Sequence, residues 1–148
     1  MVLSLLKQSD LFKKIPGEAL KALIPLVREK TFTAGSVIFS QNSKAEKVYL
    51  LEKGQVALKT SLTNGLEITY EMITQRGDPF GWSALIEPYR HMTTALCLED
   101  TGAVFFNRKD LSRLFPQHPL LGFKVMQNLS VLIANRLERT RRLLVGQI

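Results

Sequence analysis

Between residues 30 and 107 the chain carries a turn signal about every 8–12 residues, and between turns its apolar residues recur at a period of two. No other feature restricts the fold as strongly. Parallel strands need crossover connections of about a dozen residues or more, usually helical, and this interval holds no such segment. The pattern predicts about six to eight short antiparallel strands, closed into a barrel or folded as two packed sheets. The turns are Ala34-Gly35, a polar loop over 41–46, Lys53-Gly54, Asn64-Gly65 as a hairpin of the two-residue kind, and Gly77-Asp78-Pro79. The cleanest alternation sets Leu66, Ile68, Tyr70 and Met72 on one face and Glu67, Thr69 and Glu71 on the other, which predicts one buried and one wet face.

Helical patterns flank this core. Ser9 and Asp10 can cap a short turn, Pro16 suits a first helical position, and Leu20, Leu23, Ile24 and Val27 share a face that Pro25 should kink or end. Beyond the core, residues 107–115 read as a short helix ended by Pro116. His118-Pro119 then starts a long helix to about Val145, with Gly146 past its end. Val125, Leu129, Leu132, Ile133, Leu137, Thr140, Leu143 and Leu144 form one broad face of that helix, with Arg136 inside the stripe. Such a stripe needs cover, from its own core or a second copy, so a homodimer through this helix is expected. The expected organisation is one domain over 1–148, with N-terminal helices at 1–29, the β core at 30–107 and C-terminal helices at 108–148.

Hydrophobic residues at 45% and charged residues at 22% are ordinary for a folded globular chain. The apolar start over residues 2–6 is broken by Lys7 and Asp10 and lacks the features of a secretory signal, so a cytoplasmic protein with no membrane partner is expected. A lone Cys97 cannot make an internal disulfide or a metal site and reads as a small buried hydrophobe. The net charge of +7 favours anionic partners, although its one dense cluster is Arg136, Arg139, Arg141 and Arg142. With no nucleophile–base pair, metal-ligand cluster or paired carboxylates, the sequence predicts neither an enzyme nor catalytic residues nor a metal.

The candidate site is the stretch 77–95. Asp78-Pro79 pre-sets a turn, Gly81 lets a ligand approach the backbone, and the amides of Ser83, Ala84 and Leu85 open a short helix. Arg90 and His91 follow with positive charge. Together they outline a cradle for a small anion.

The leading Leu11-Phe12 with its spaced Ile15, Leu20 and Leu23, Gly-x-Val-Ile-Phe at Gly35, Val-Tyr-Leu-Leu-x-x-Gly-x-Val at Val48, Gly-Asp-x-Phe-Gly at Gly77 and Ala-Leu at Ala84 together resemble the cyclic-nucleotide-binding domain family. The resemblance implies a mainly β fold, an eight-stranded double-sheet jelly roll with short N-terminal helices and a long C-terminal one. It implies a phosphate-binding cassette over 80–93 and a ligand such as cyclic AMP or cyclic GMP. On that pattern Phe80, Gly81, Trp82, Ser83, Ala84, Leu85, Arg90, His91 and Thr93 are the ligand-binding candidates. Arg136 and Thr140 on the long helix are candidates for the ligand lid or the dimer seam. Two positions depart from the family: Trp82 stands where a glutamate would take the ribose hydroxyl, and His91 where an arginine would pair with the phosphate, with Arg90 one residue early. The implied function is a regulatory sensor module for a cyclic nucleotide or other small anionic ligand, signalling through the long helix to a downstream partner the sequence does not name. The alternative is a ligand-free descendant whose pocket Trp82 closes and which acts in dimerisation or protein interaction. The chain ends at Ile148 without room for a helix-turn-helix, so sequence-specific DNA binding by this chain alone is not expected.

Overall fold

A computed structural model describes residues 2–146. Its eight strands form two four-stranded antiparallel sheets. One sheet has the order β1 (Arg28–Phe32), β8 (Thr101–Asn107), β3 (Lys47–Lys53), β6 (Pro79–Phe80). The other has the order β2 (Val37–Phe39), β7 (Thr94–Cys97), β4 (Val56–Ser61), β5 (Glu67–Ile73). This is the jelly-roll architecture that the family resemblance implies, and one of the two arrangements that the turn rhythm left open.

The continuous apolar run Val48-Tyr49-Leu50-Leu51 is explained by a strand buried on both faces. Tyr49 and Leu51 of β3 look into the space between the sheets with Val56, Leu58, Ile73 and Phe80. Val48 and Leu50 look the other way, onto helices, with Val104 and Phe106 of β8. The helical layer consists of α1 (Val2–Gln8), α2 (Gly17–Leu20), a 3-10 turn at Ile24–Leu26, α3 (Arg108–Gln117) and α4 (Pro119–Leu144). Pro25 sits at the start of that 3-10 turn, so the expected second helical piece is cut short there. Helix α1 falls within the N-terminal helices expected at 1–29, although no residue pattern marked its bounds; its Leu5 and Leu6 are fully buried against Phe12, Leu20 and the base of α4. At that base Leu121, Val125 and Leu129 are buried, and the Asn128 side-chain amide donates to the carbonyls of Leu11 (3.0 Å) and Lys13 (2.9 Å). Cys97 is buried in β7, where desolvation pushes its thiol pKa up.

Two sequence expectations fail in the β4–β5 hairpin. Its loop is longer than two residues: Gly65 N donates to Leu62 O and Leu62 N to Leu66 O, with Gly65 at φ 87°. That is a turn followed by a left-handed residue, which Asn-Gly serves equally well. The alternation in β5 is also broken. Leu58 faces Glu71 while the next residue, Lys59, faces Thr69, so Tyr70 is an extra residue and the strand is bulged. Beyond the bulge the faces exchange. Glu71 takes the inner side, and Met72 is turned out and exposed. Leu66, Ile68 and Tyr70 are exposed as well, because β5 is an edge strand and the two-residue β6 does not extend across from it. The space left there is covered by α4.

Candidate functional site

The space beneath α4 is a cavity of about 420 Å³. Phe39, Leu58, Thr60 and Tyr70 line it from the second sheet. Phe80, Gly81, Trp82, Ser83 and Ile86 line it from β6 and the 3-10 turn Trp82–Leu85. His91, Met92 and Thr93 close one side, and Ile133, Arg136, Leu137 and Thr140 of α4 form the roof.

Local chemistry explains how β6 enters this wall. Asp78 holds the preceding turn, its carboxylate accepting from the amides of Thr74 (3.3 Å) and Gln75 (3.0 Å). Phe80 then pairs with Tyr49 across the strands and stacks on its ring, centroids 5.1 Å apart. Burial pushes the Tyr49 phenol up to about 12, so it stays neutral. Gly81 adopts φ 74°, and a Cβ there would meet Tyr49 Cδ1 at 3.1 Å and the Lys47 carbonyl and Phe39 Cε2 at 3.2 Å. The glycine is therefore required by protein packing, whereas the sequence reading assigned it to ligand approach.

The 3-10 turn divides the expected cassette. Trp82 and Ser83 line the cavity, and the Ser83 hydroxyl does not cap the turn. Ala84 and Leu85 do not line it. They face a second hollow of about 100 Å³ beside Arg108, Leu111 and Phe115, and the Ala84 amide is spent on the Gly81 carbonyl at 3.2 Å. With about three residues per turn, the side chains of one short 3-10 turn fan around its axis and reach both hollows.

The two expected cations also fall differently. Arg90 is exposed and outside the cavity lining; its guanidinium donates to the Asn42 carbonyl at 2.8 Å, because a bridge between Arg90 and Lys44 turns it toward the 41–46 loop. His91 does line the cavity, but it is no solvent-facing loop residue. It is 4% exposed and stacked on Phe39 with ring centroids 3.6 Å apart, and its backbone is pinned between Asn42 and Ser43. Desolvation lowers its pKa to about 4, so the imidazole is neutral near pH 7.

The charge at the roof belongs to α4. The Arg136 guanidinium lies 4.3 Å from the Trp82 ring centroid and 5.6 Å from that of Tyr70, and its Nη2 donates to Glu71 Oε2 at 2.8 Å. Arg139 pairs with the other oxygen of the same carboxylate. Thr140 gives its hydroxyl proton to the Arg136 carbonyl (3.0 Å) and so accepts from the Tyr70 hydroxyl (2.9 Å). The bulge in β5 makes this latch, since it brings Tyr70 and Glu71 to bear on the helix together. Glu71, Tyr70 and Phe39 carried no sequence signal for the site. Glu87, the acidic residue within the expected cassette, is exposed and plays no part in the lining.

A double-sheet β roll with a cavity roofed by a long C-terminal helix defines a regulatory ligand-binding module. The chain belongs to the cyclic nucleotide-binding domain family, whose model matches residues 29–118. It is 28% identical to the cyclic AMP receptor protein of Thermus thermophilus over 132 residues, 89% of this chain and 59% of that relative's length. The crystal structure of Thermus thermophilus catabolite activator protein superposes at a TM-score of 0.79 and 26% identity, covering 92% of this chain and 62% of that one. A cyclic nucleotide-binding domain from Methylobacillus flagellatus shares the fold at a TM-score of 0.84 and 17% identity, over 99% of this chain and 82% of its own.

Proposed function

We propose that the chain acts as one non-catalytic sensor module: a small effector enters the cavity, changes how α4 is held, and the helix passes that change to a second copy or a downstream partner. One observation carries the reading. The cavity wall and the helix latch are the same residues, since Tyr70, Trp82, Arg136 and Thr140 line the cavity and also fasten α4 to β5 and the cassette. An occupant touching them bears directly on the latch. The cavity volume favours this over a pocket closed by Trp82, whose ring lies in the wall beneath Arg136.

Cyclic AMP and cyclic GMP are the ligands the family suggests, yet both altered side chains weaken the case for them. Trp82 has no acceptor for a ribose hydroxyl, and a neutral His91 offers a phosphate no charge. Two lost partners at ~1–3 kcal/mol each reduce affinity by on the order of a hundredfold or more.

A dimer seam is supported by an apolar stripe along α4, of which Ile133, Leu137 and Thr140 also line the cavity. Phe123, Met126, Ser130, Ile133, Leu137, Thr140 and Leu144 follow alternating steps of three and four, the spacing of a two-stranded coiled coil. Phe123, Leu137 and Leu144 are 62, 67 and 83% exposed. The basic end of α4 is largely committed to ion pairs, Arg139 with Glu71 and Arg141 and Arg142 with Glu138, and so offers little to a phosphate backbone. These residues by themselves should give no sequence-selective duplex shift in a mobility assay.

The test of the sensor reading uses Trp82, the chain's single tryptophan. Cyclic AMP, cyclic GMP and naphthol are each added at millimolar concentration while Trp82 emission and hydrogen exchange along α4 are followed. At least one should change the emission and the exchange beyond Leu132 together. A ligand that quenches Trp82 and leaves α4 exchange untouched would remove the helix from the mechanism.

A further inference from the structure

We infer that the effector of this cavity is an uncharged, planar, mostly apolar molecule with one or two hydrogen-bonding groups, and not a phosphate ester or other anion. The inference rests on the sensor reading only in taking the cavity as the effector site.

The first observation is the cavity's charge. Among the described residues one cation lines it, Arg136, and that guanidinium already spends a donor on Glu71 and lies over the faces of Trp82 and Tyr70. An anion that recruited it would leave the Glu71 carboxylate, 16% exposed, with only the largely solvated Arg139 as partner. Arg90, the other guanidinium near the cassette, is held outside by Asn42. Bringing an anion into such a site without a counter-charge costs several kcal/mol, and the neutral form of a ligand does not meet that cost.

The second observation is the wall. Phe39, Tyr70, Phe80 and Trp82 surround the space with ring surface, and Leu58 and Ile133 fill the gaps between them. Flat apolar molecules gain most from such surfaces, because ring faces take them out of water over a large contact area.

The third observation is the set of unspent polar groups. The hydroxyls of Thr60, Ser83 and Thr93 line the cavity and make no hydrogen bond to any of the described residues, and the ring nitrogens of His91 likewise have no partner among them. Each hydroxyl both donates and accepts, and a neutral imidazole provides one donor and one acceptor. They match a phenol, ketone or amide, none of which needs a counter-ion. On this inference the effector differs from the small anion that the sequence suggests.

The test compares ligands that share a ring system and differ by one charge. On the full chain at neutral pH, naphthol should bind at least about tenfold more tightly than naphthoate, followed by Trp82 quenching. N-phenylnaphthylamine, a neutral probe that fluoresces on leaving water, should bind saturably and receive energy from Trp82. Millimolar cyclic AMP should not displace it. The substitutions Thr60→Phe and Ile133→Phe narrow the cavity at positions that are not fully buried, and each should weaken the probe at least about tenfold. Preference for naphthoate, or displacement by micromolar cyclic AMP, overturns the inference and leaves the sensor reading standing. Probe binding unaffected by both substitutions also overturns it, placing the probe on the exposed face of α4. If the folded protein binds none of these molecules, the inference and the sensor reading fall together.

Discussion

His91 shows how burial decides what a residue can do. A histidine in the place of a phosphate-binding arginine suggests a weaker cation, but its ring lies flat on Phe39 with its pKa lowered from 6.5 to about 4. The unfolded chain therefore binds a proton between those values that the folded chain refuses. The stability concerned is present above about pH 6.5 and is lost as pH falls toward 4, by on the order of 3 kcal/mol at most. Urea unfolding midpoints should drop between about pH 7 and 4.5, and His91→Phe, which keeps the stack, should flatten that drop; an equally steep curve in the variant would refute the assignment. Asn128 is the second residue whose role is purely tertiary. Asn128→Ala removes both ties to the Leu11 and Lys13 carbonyls and should cost about 1–3 kcal/mol in the same experiment. Sequence could place His91 by its distance from the following strand; it could not show the Phe39 ring beneath it.

At the scale of elements, the β5 bulge matters most. A period-two reading assumes an unbroken strand, so it put Glu71 with the wet residues and Met72 with the buried ones. One extra residue at Tyr70 reverses both. The carboxylate on the inner face then holds Arg136 and Arg139, which in the sequence read as members of one basic cluster. Glu71→Gln keeps the shape and removes the charge. It should destabilise by about 1–3 kcal/mol and speed hydrogen exchange in the last turns of α4, while the base around Val125 and Leu129 stays protected. Equal protection along the whole helix in the variant would mean that Tyr70 and Thr140 alone suffice as the latch.

At the scale of the whole molecule, α4 divides its length between two tasks. Its first half is buried in the helical cluster through Leu121, Val125 and Leu129, and its second half roofs the cavity and presents the heptad face. On the dimer reading, Phe123→Glu and Leu144→Glu, both outside the cavity, should each shift sedimentation from dimer to monomer without altering probe binding; an unchanged dimer would place the interface elsewhere. The turn rhythm, the proline-started helix and the motifs from Gly35 to Ala84 were sufficient to indicate the double-sheet fold, the order of its parts and a stretch, residues 80–93, that supplies part of the cavity wall. Those are properties of local pattern, which a sequence carries explicitly. Which side chains meet at the pocket, and with what charge, was decided by tertiary structure alone. The facing of Glu71 depends on a bulge, the charge of His91 on a ring from another strand, and the direction of Arg90 on a carbonyl 48 residues away. Each is set by a neighbour distant along the chain, and no periodicity records it.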